Sequence, residues 1–102
     1  MKLNRSYISK IKTFFKNKPV LKAYIFGFYS REEADENSDI DILVELDYSQ
    51  PIGLKFIQMQ LELQDLLKRK VDLLSQKAVS KYIKPMIEKE KILIYEFTLK
   101  RG

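Results

Sequence analysis

The 102-residue chain contains no cysteine and no histidine. These absences exclude disulfides, thiolate or imidazole catalysis, and structural zinc sites built from either ligand. It has no run of about 18 apolar residues, so no membrane-spanning helix is expected. The opening MKLNRSYISKIK carries charges at helical intervals and lacks the apolar stretch of a secretion signal. Internal repeats, low-complexity segments and linkers are absent too. Lack of cysteine fits a reducing compartment and a cytoplasmic setting. Whatever chemistry the chain performs must run on carboxylates, hydroxyls, Lys, Arg or a bound metal.

What is present fits one small domain over residues 1–102, with a core at about 5–97 and a tail at 98–102. Hydrophobic residues make up 45% and charged residues 32%, a globular balance. The net charge is +5. Lysines are scattered (Lys10, Lys12, Lys16, Lys18 and Lys22, then Lys81, Lys84, Lys89 and Lys91). A solvated basic surface is the plain reading, and attraction to a nucleotide triphosphate the sharper one. No basic tract interleaved with aromatics supports a nucleic-acid groove.

Periodicity predicts the order α-β-β-α-β-α-β. Over residues 5–17, Tyr7, Ile8, Ile11, Phe14 and Phe15 fall on one helical face, with Asn4 or Ser6 as cap and Pro19 beyond the end. Val20 to Phe26 is a strand whose mostly apolar run suggests burial on both faces, stopped by Gly27. Ile40 to Leu46 is a second strand. A helix is expected from about Ile52 to Lys68. It has two apolar sides: Phe56, Met59, Leu63, Leu66 and Leu67 on one, Leu54, Ile57 and Leu61 on nearly the opposite one. The second stripe is either buried within the chain or offered to a partner, a second copy of the chain included. Val71 to Ser75 is a short strand, Lys77 to Ile83 a helical turn, 85–90 a short helix opened by Pro85, and Ile92 to Phe97 the last strand. The fold class is α/β (α+β), a small mixed sheet of about four strands with helices packed on it.

Three acids stand apart because each interrupts an apolar strand: Asp39, Asp41 and Asp72. Asp39 and Asp41 are separated by one residue, which on a strand aims both at one face with Cα atoms roughly 6.5 Å apart. Ile40, Ile42, Val44 and Leu46 then take the other face and must be buried. Two fixed like charges this close favour a cation between them or a raised pKa. A hard divalent ion with oxygen ligands, Mg²⁺ first, meets that need.

These residues resemble a known family. Gly27-Phe28, ten residues, then Asp39-Ile40-Asp41 is similar to the Gly-Ser, ten residues, Asp-x-Asp signature of the minimal nucleotidyltransferases of the DNA polymerase β superfamily. Lys70-Val71-Asp72-Leu73-Leu74 looks like the strand carrying that family's third carboxylate. Residues 85–90 and 92–95 resemble its last helix and strand. The resemblance implies two-magnesium nucleotidyl transfer, with Asp39, Asp41 and Asp72 as metal ligands and catalytic residues and ATP as substrate. It also implies nucleotide contacts from the glycine turn at Gly27 and Phe28, and from Ser30, Arg31 and Ser38.

Small members of this kind resemble the antitoxin of a two-gene pair. Such an antitoxin moves AMP from ATP onto a tyrosine of a helical HEPN-domain toxin. The departures are Phe28 in place of the family's serine and Glu32 where a glycine is frequent. Phe28 brings no hydroxyl to the terminal phosphates, which leaves a second expectation: an impaired nucleotidyltransferase module acting by protein binding.

Overall fold

The computed structural model describes residues 5–27 and 39–98. Four strands, β1 (Val20–Phe26), β2 (Ile40–Leu46), β3 (Val71–Ser75) and β4 (Ile92–Glu96), form one sheet in the order β3-β2-β1-β4. β1 pairs antiparallel with both β2 and β4, whereas β3 runs parallel to β2. The sheet is therefore mixed, as the element order predicts. The parallel pair exists because a helix, α2 (Lys55–Leu67), carries the chain back between β2 and β3.

The main core lies on one face of the sheet. Ile40, Ile42 and Val44 of β2 are fully buried and Leu46 nearly so, joined by Val71 and Leu73 of β3 and by Ala23 and Ile25 of β1. Ile11 and Phe15 of α1 (Arg5–Phe15) and Met59, Leu63 and Leu67 of α2 cover them. Spacings of four residues on each helix bring these side chains to one stripe. The expectation that β1 is buried on both faces is not met. Val20, Ala23 and Ile25 are buried, while Leu21, Lys22, Tyr24 and Phe26 are only partly covered. The second face has a lighter roof. A short helix, α3 (Lys84–Glu90), leads to Lys91, whose ammonium sits 4.3 Å from the centre of the Tyr24 ring. Leu43, the partner of Tyr24 in register, is buried there outside the main cluster, as is Ile87 of α3.

Helix ends differ from the sequence expectation in ways that turns explain. α1 stops at Phe15 because Lys16 and Lys18 N–H groups fold back on Thr13 and Phe15 carbonyls (3.4 and 3.1 Å) before buried Pro19. α2 starts at Lys55, not Ile52. Gly53 takes φ +45°, a backbone conformation that suits glycine, and Lys55 N–H closes a turn on the Ile52 carbonyl at 2.8 Å. Its second apolar stripe is not buried: Leu54, Ile57 and Leu61 are 74, 57 and 58% exposed. The helical turn expected over Lys77 to Ile83 is split: a 3₁₀ segment, Gln76–Ala78, is followed by an extended break and a separate turn at 81–83, and α3 begins at Lys84 with Pro85 in its first turn. Among the described residues no helix is long and apolar enough to cross a membrane.

Candidate active site

β2 and β3 place the acids. Register across the parallel pair sets Asp41 directly beside Asp72, following Ile40 beside Val71. Neighbours in register point to the same face, with Cα atoms about 4.8 Å apart. That face is the one opposite Ile40 and Ile42, so the fully buried backs of the strands fix where both carboxylates point. Asp72 alternates with buried Val71 and Leu73 and is exposed, on a strand that forms one edge of the sheet.

Asp39 lies just ahead of β2, where the Ile40 N–H donates to the Lys70 carbonyl at 3.0 Å. Lys70 therefore stands beside Asp39 one step before the Asp41–Asp72 pair. Its ammonium reaches Asp39 Oδ2 at 3.5 Å. The chain itself thus supplies a cation to one of the two closely spaced carboxylates.

Gly27 closes the other side of Asp41. β1 ends at Phe26, which pairs with Asp41, and the chain then turns at Gly27 with φ +74°. A Cβ placed on Gly27 would strike Asp41 Oδ2 and stand 3.4 Å from its Cγ. The glycine is needed twice: for its backbone conformation and for the room it leaves the carboxylate.

Of the predicted site residues, the structure brings together Gly27, Asp41 and Asp72 and sets Asp39 one step away. Phe28, Ser30, Arg31 and Ser38 lie outside the described residues. Among the described residues no three acidic side chains are gathered tightly enough to hold an ion unaided. Asp39 is engaged by Lys70 instead. The donor set nevertheless suits a hard divalent cation: carboxylates of neighbouring strands in register on one face of the sheet, the central one packed against a glycine. An ion would be held by Asp41 and Asp72, and by Asp39 once released from Lys70.

The contact of Lys70 with Asp39 is not among the sequence expectations. Its signal is the alignment of Asp39-Ile40-Asp41 with Lys70-Val71-Asp72, in which a charge sits two residues before each strand aspartate. A hollow of about 440 Å³ lined by Glu45, Tyr48, Ser75, Lys77 and Lys84 lies at the far end of β2 and β3, and another lies between α1 and α2. Arrangement of charge, rather than cavity volume, is what singles out the acid end.

The four-stranded mixed sheet thus carries two aspartates side by side on its parallel pair. The polymerase beta nucleotidyltransferase family model matches residues 9–98, and the chain belongs to that family. A Methanocaldococcus jannaschii protein named as a candidate protein adenylyltransferase is 43% identical over 93 residues, covering 88% of this chain and 93% of that protein. Two solved structures share the fold. A toxin–antitoxin pair with AMP-PNP aligns at a TM-score of 0.73 and 22% identity, over 88% of this chain and 73% of that one. A tri-AMPylated HEPN toxin from Shewanella oneidensis in complex with its MNT antitoxin aligns at 0.69 and 18%, over 93% and 74%.

Proposed function

We propose that the protein is a magnesium-dependent protein adenylyltransferase, the antitoxin of a pair, that moves AMP from ATP onto a tyrosine of a helical HEPN-type partner. The observation that carries this reading is the register of Asp41 against Asp72 in a chain of the polymerase beta nucleotidyltransferase family. The naming of the Methanocaldococcus relative and the AMPylated toxin in the Shewanella complex support the adenylyl donor and the partner class.

In this reaction the phenolic oxygen bonds to the α-phosphorus and the α,β-anhydride bond breaks. Pyrophosphate leaves, and the phenolic proton is released. Asp39, Asp41 and Asp72 would hold the magnesium, which when bound would supply positive charge to the departing pyrophosphate and lower the pKa of the acceptor hydroxyl. Asp41, between Gly27 and Asp72, is central to the site. Asp72, exposed on the sheet's edge strand, is the carboxylate that an incoming partner reaches from outside. Gly27 ends β1 in a turn whose backbone N–H groups are the donors this reading assigns to phosphate. Leu54, Ile57 and Leu61, left uncovered on α2, are the surface it assigns to the partner.

One residue favours a second reading. Phe28 brings no hydroxyl to the phosphates, which suits a module that binds its partner without modifying it. Incubation of the chain with its helical partner, labelled ATP and Mg²⁺ separates the two. Under the first reading the partner is labelled, and Asp41→Asn lowers labelling by on the order of 100-fold or more, beyond the effect of an outer-shell group. A stable complex with no label in the wild type gives the second reading.

A further inference from the structure

Lys70 is held to the acid site at two points. Its carbonyl accepts from Ile40 N–H at 3.0 Å, which fixes the register of β3 against β2. Its ammonium lies 3.5 Å from Asp39 Oδ2. The backbone bond means that Lys70 cannot slide away from Asp39 without unzipping the start of the parallel pair. The face consequently carries two rungs: one of opposite charges, Asp39 with Lys70, and one of like charges, Asp41 with Asp72. A divalent ion and this ammonium therefore compete for the same oxygens of Asp39.

We propose that Lys70 is an internal counter-cation that must release Asp39 before the site takes up a divalent ion, and so weakens metal binding by the free chain. The inference rests on the metal-binding reading of the three aspartates and adds a residue that acts against it. Two properties make the arrangement workable. The Lys70 side chain is 67% exposed, so its ammonium can swing into water at little steric cost. Its pairing with Asp39 is also only partly shielded, so the competition is modest rather than absolute. Once freed, the ammonium sits at the rim of the site, where the triphosphate of a nucleotide offers it new anionic partners. Uptake of metal is thereby tied to uptake of nucleotide.

The test is direct Mn²⁺ binding to the full chain without nucleotide, read from free Mn²⁺ by electron paramagnetic resonance. Mn²⁺ serves as the probe because it shares the oxygen preference of Mg²⁺. Lys70→Gln should tighten Mn²⁺ binding by roughly two- to five-fold, the scale of a partly exposed ion pair. Lys10→Gln removes the same charge from the exposed side of α1 and should change binding by less than that. Thermal unfolding gives an independent measure: Mn²⁺ should raise the midpoint of Lys70→Gln more than that of the wild type. Unchanged or weaker Mn²⁺ binding by Lys70→Gln, with Asp41→Asn losing it, would overturn the role of Lys70 alone. Equal tightening by Lys10→Gln would also overturn it, because net charge would then suffice. Equal Mn²⁺ binding by wild type and Asp41→Asn would overturn the metal reading and this inference with it.

Discussion

Along one side of β2, Ile40, Ile42, Val44 and Leu46 are sealed beneath α1 and α2; along the other, only Leu43 is buried, and Asp41 and Glu45 stay partly open. One strand thus has a side that packs and a side that carries its carboxylates. The packed side holds no chemistry, yet it removes the strand's freedom to rotate or slip. A one-residue slip would send Asp41 into the core and Ile42 into water, at a cost no small domain can bear. The face to which Asp41 and Asp72 point is therefore set at the folding step, before any ligand arrives.

This division is breakable by substitution. Ile42→Ala should cost about 2–5 kcal/mol, the range for emptying a fully buried aliphatic site, read as a lowered urea midpoint at unchanged slope. Asp41→Asn, next to it on the chain, should shift stability by less than about 1 kcal/mol while removing transfer and metal binding. Equal losses of stability at the two positions would show that the acid side also holds the fold together.

Gly27→Ala sharpens the comparison from the neighbouring strand, because Gly27 belongs to both sides of it. At φ +74° an alanine is strained, and its methyl meets the Asp41 carboxylate. The strain alone is on the order of 1–3 kcal/mol. The expected outcome is a moderate loss of stability together with weaker Mn²⁺ binding, since the carboxylate must turn aside. Stability loss with Mn²⁺ binding intact would mean that the glycine serves only the turn.

The parts of this arrangement legible in the sequence are those governed by local period. Alternation in IDILVEL and VDLLS marks β2, β3 and the facing of Asp41 and Asp72, and the structure reproduces both strands residue for residue. What period cannot report is which strands lie side by side. The pairing of Lys70 with Asp39 depends on register between segments some thirty residues apart, and no window along the chain contains it. Coverage by distant elements is equally invisible. VLKAYIF reads as doubly buried, yet its second face is only partly covered, and the α2 stripe of Leu54, Ile57 and Leu61 reads as core or interface until the packing of α1 and α2 is known. The nucleotide contacts expected of Phe28, Ser30, Arg31 and Ser38 lie outside the described residues.

The smallest expected effect separates two aspartates at opposite ends of β2. Asp41 opens the strand beside Asp72, whereas Asp47 follows its end and is consumed by the turn into α2. Its Oδ1 accepts from the Ser49 hydroxyl and from the Ser49 N–H at 3.0 Å, and its Oδ2 accepts from Gln50 Nε2 at 3.0 Å. The Ser49 hydroxyl, then the Gln50 amide, then the Ser49 N–H hold the Asp47 carboxyl below the usual carboxylate range. A folded-state pKa below the unfolded value means that the native turn favours the ionised form. Its contribution to stability is complete above the unfolded pKa of about 3.9 and fades as pH falls through the folded one. The group lies at the surface, where solvent screening keeps the effect small. Urea midpoints of wild type and Asp47→Asn should therefore differ slightly at about pH 6 and converge as the solution is acidified below about pH 4. A gap that stays constant over that range would mean the turn is held by shape rather than by the ionised carboxylate, and that the two ends of β2 do not differ in how they use an aspartate's charge.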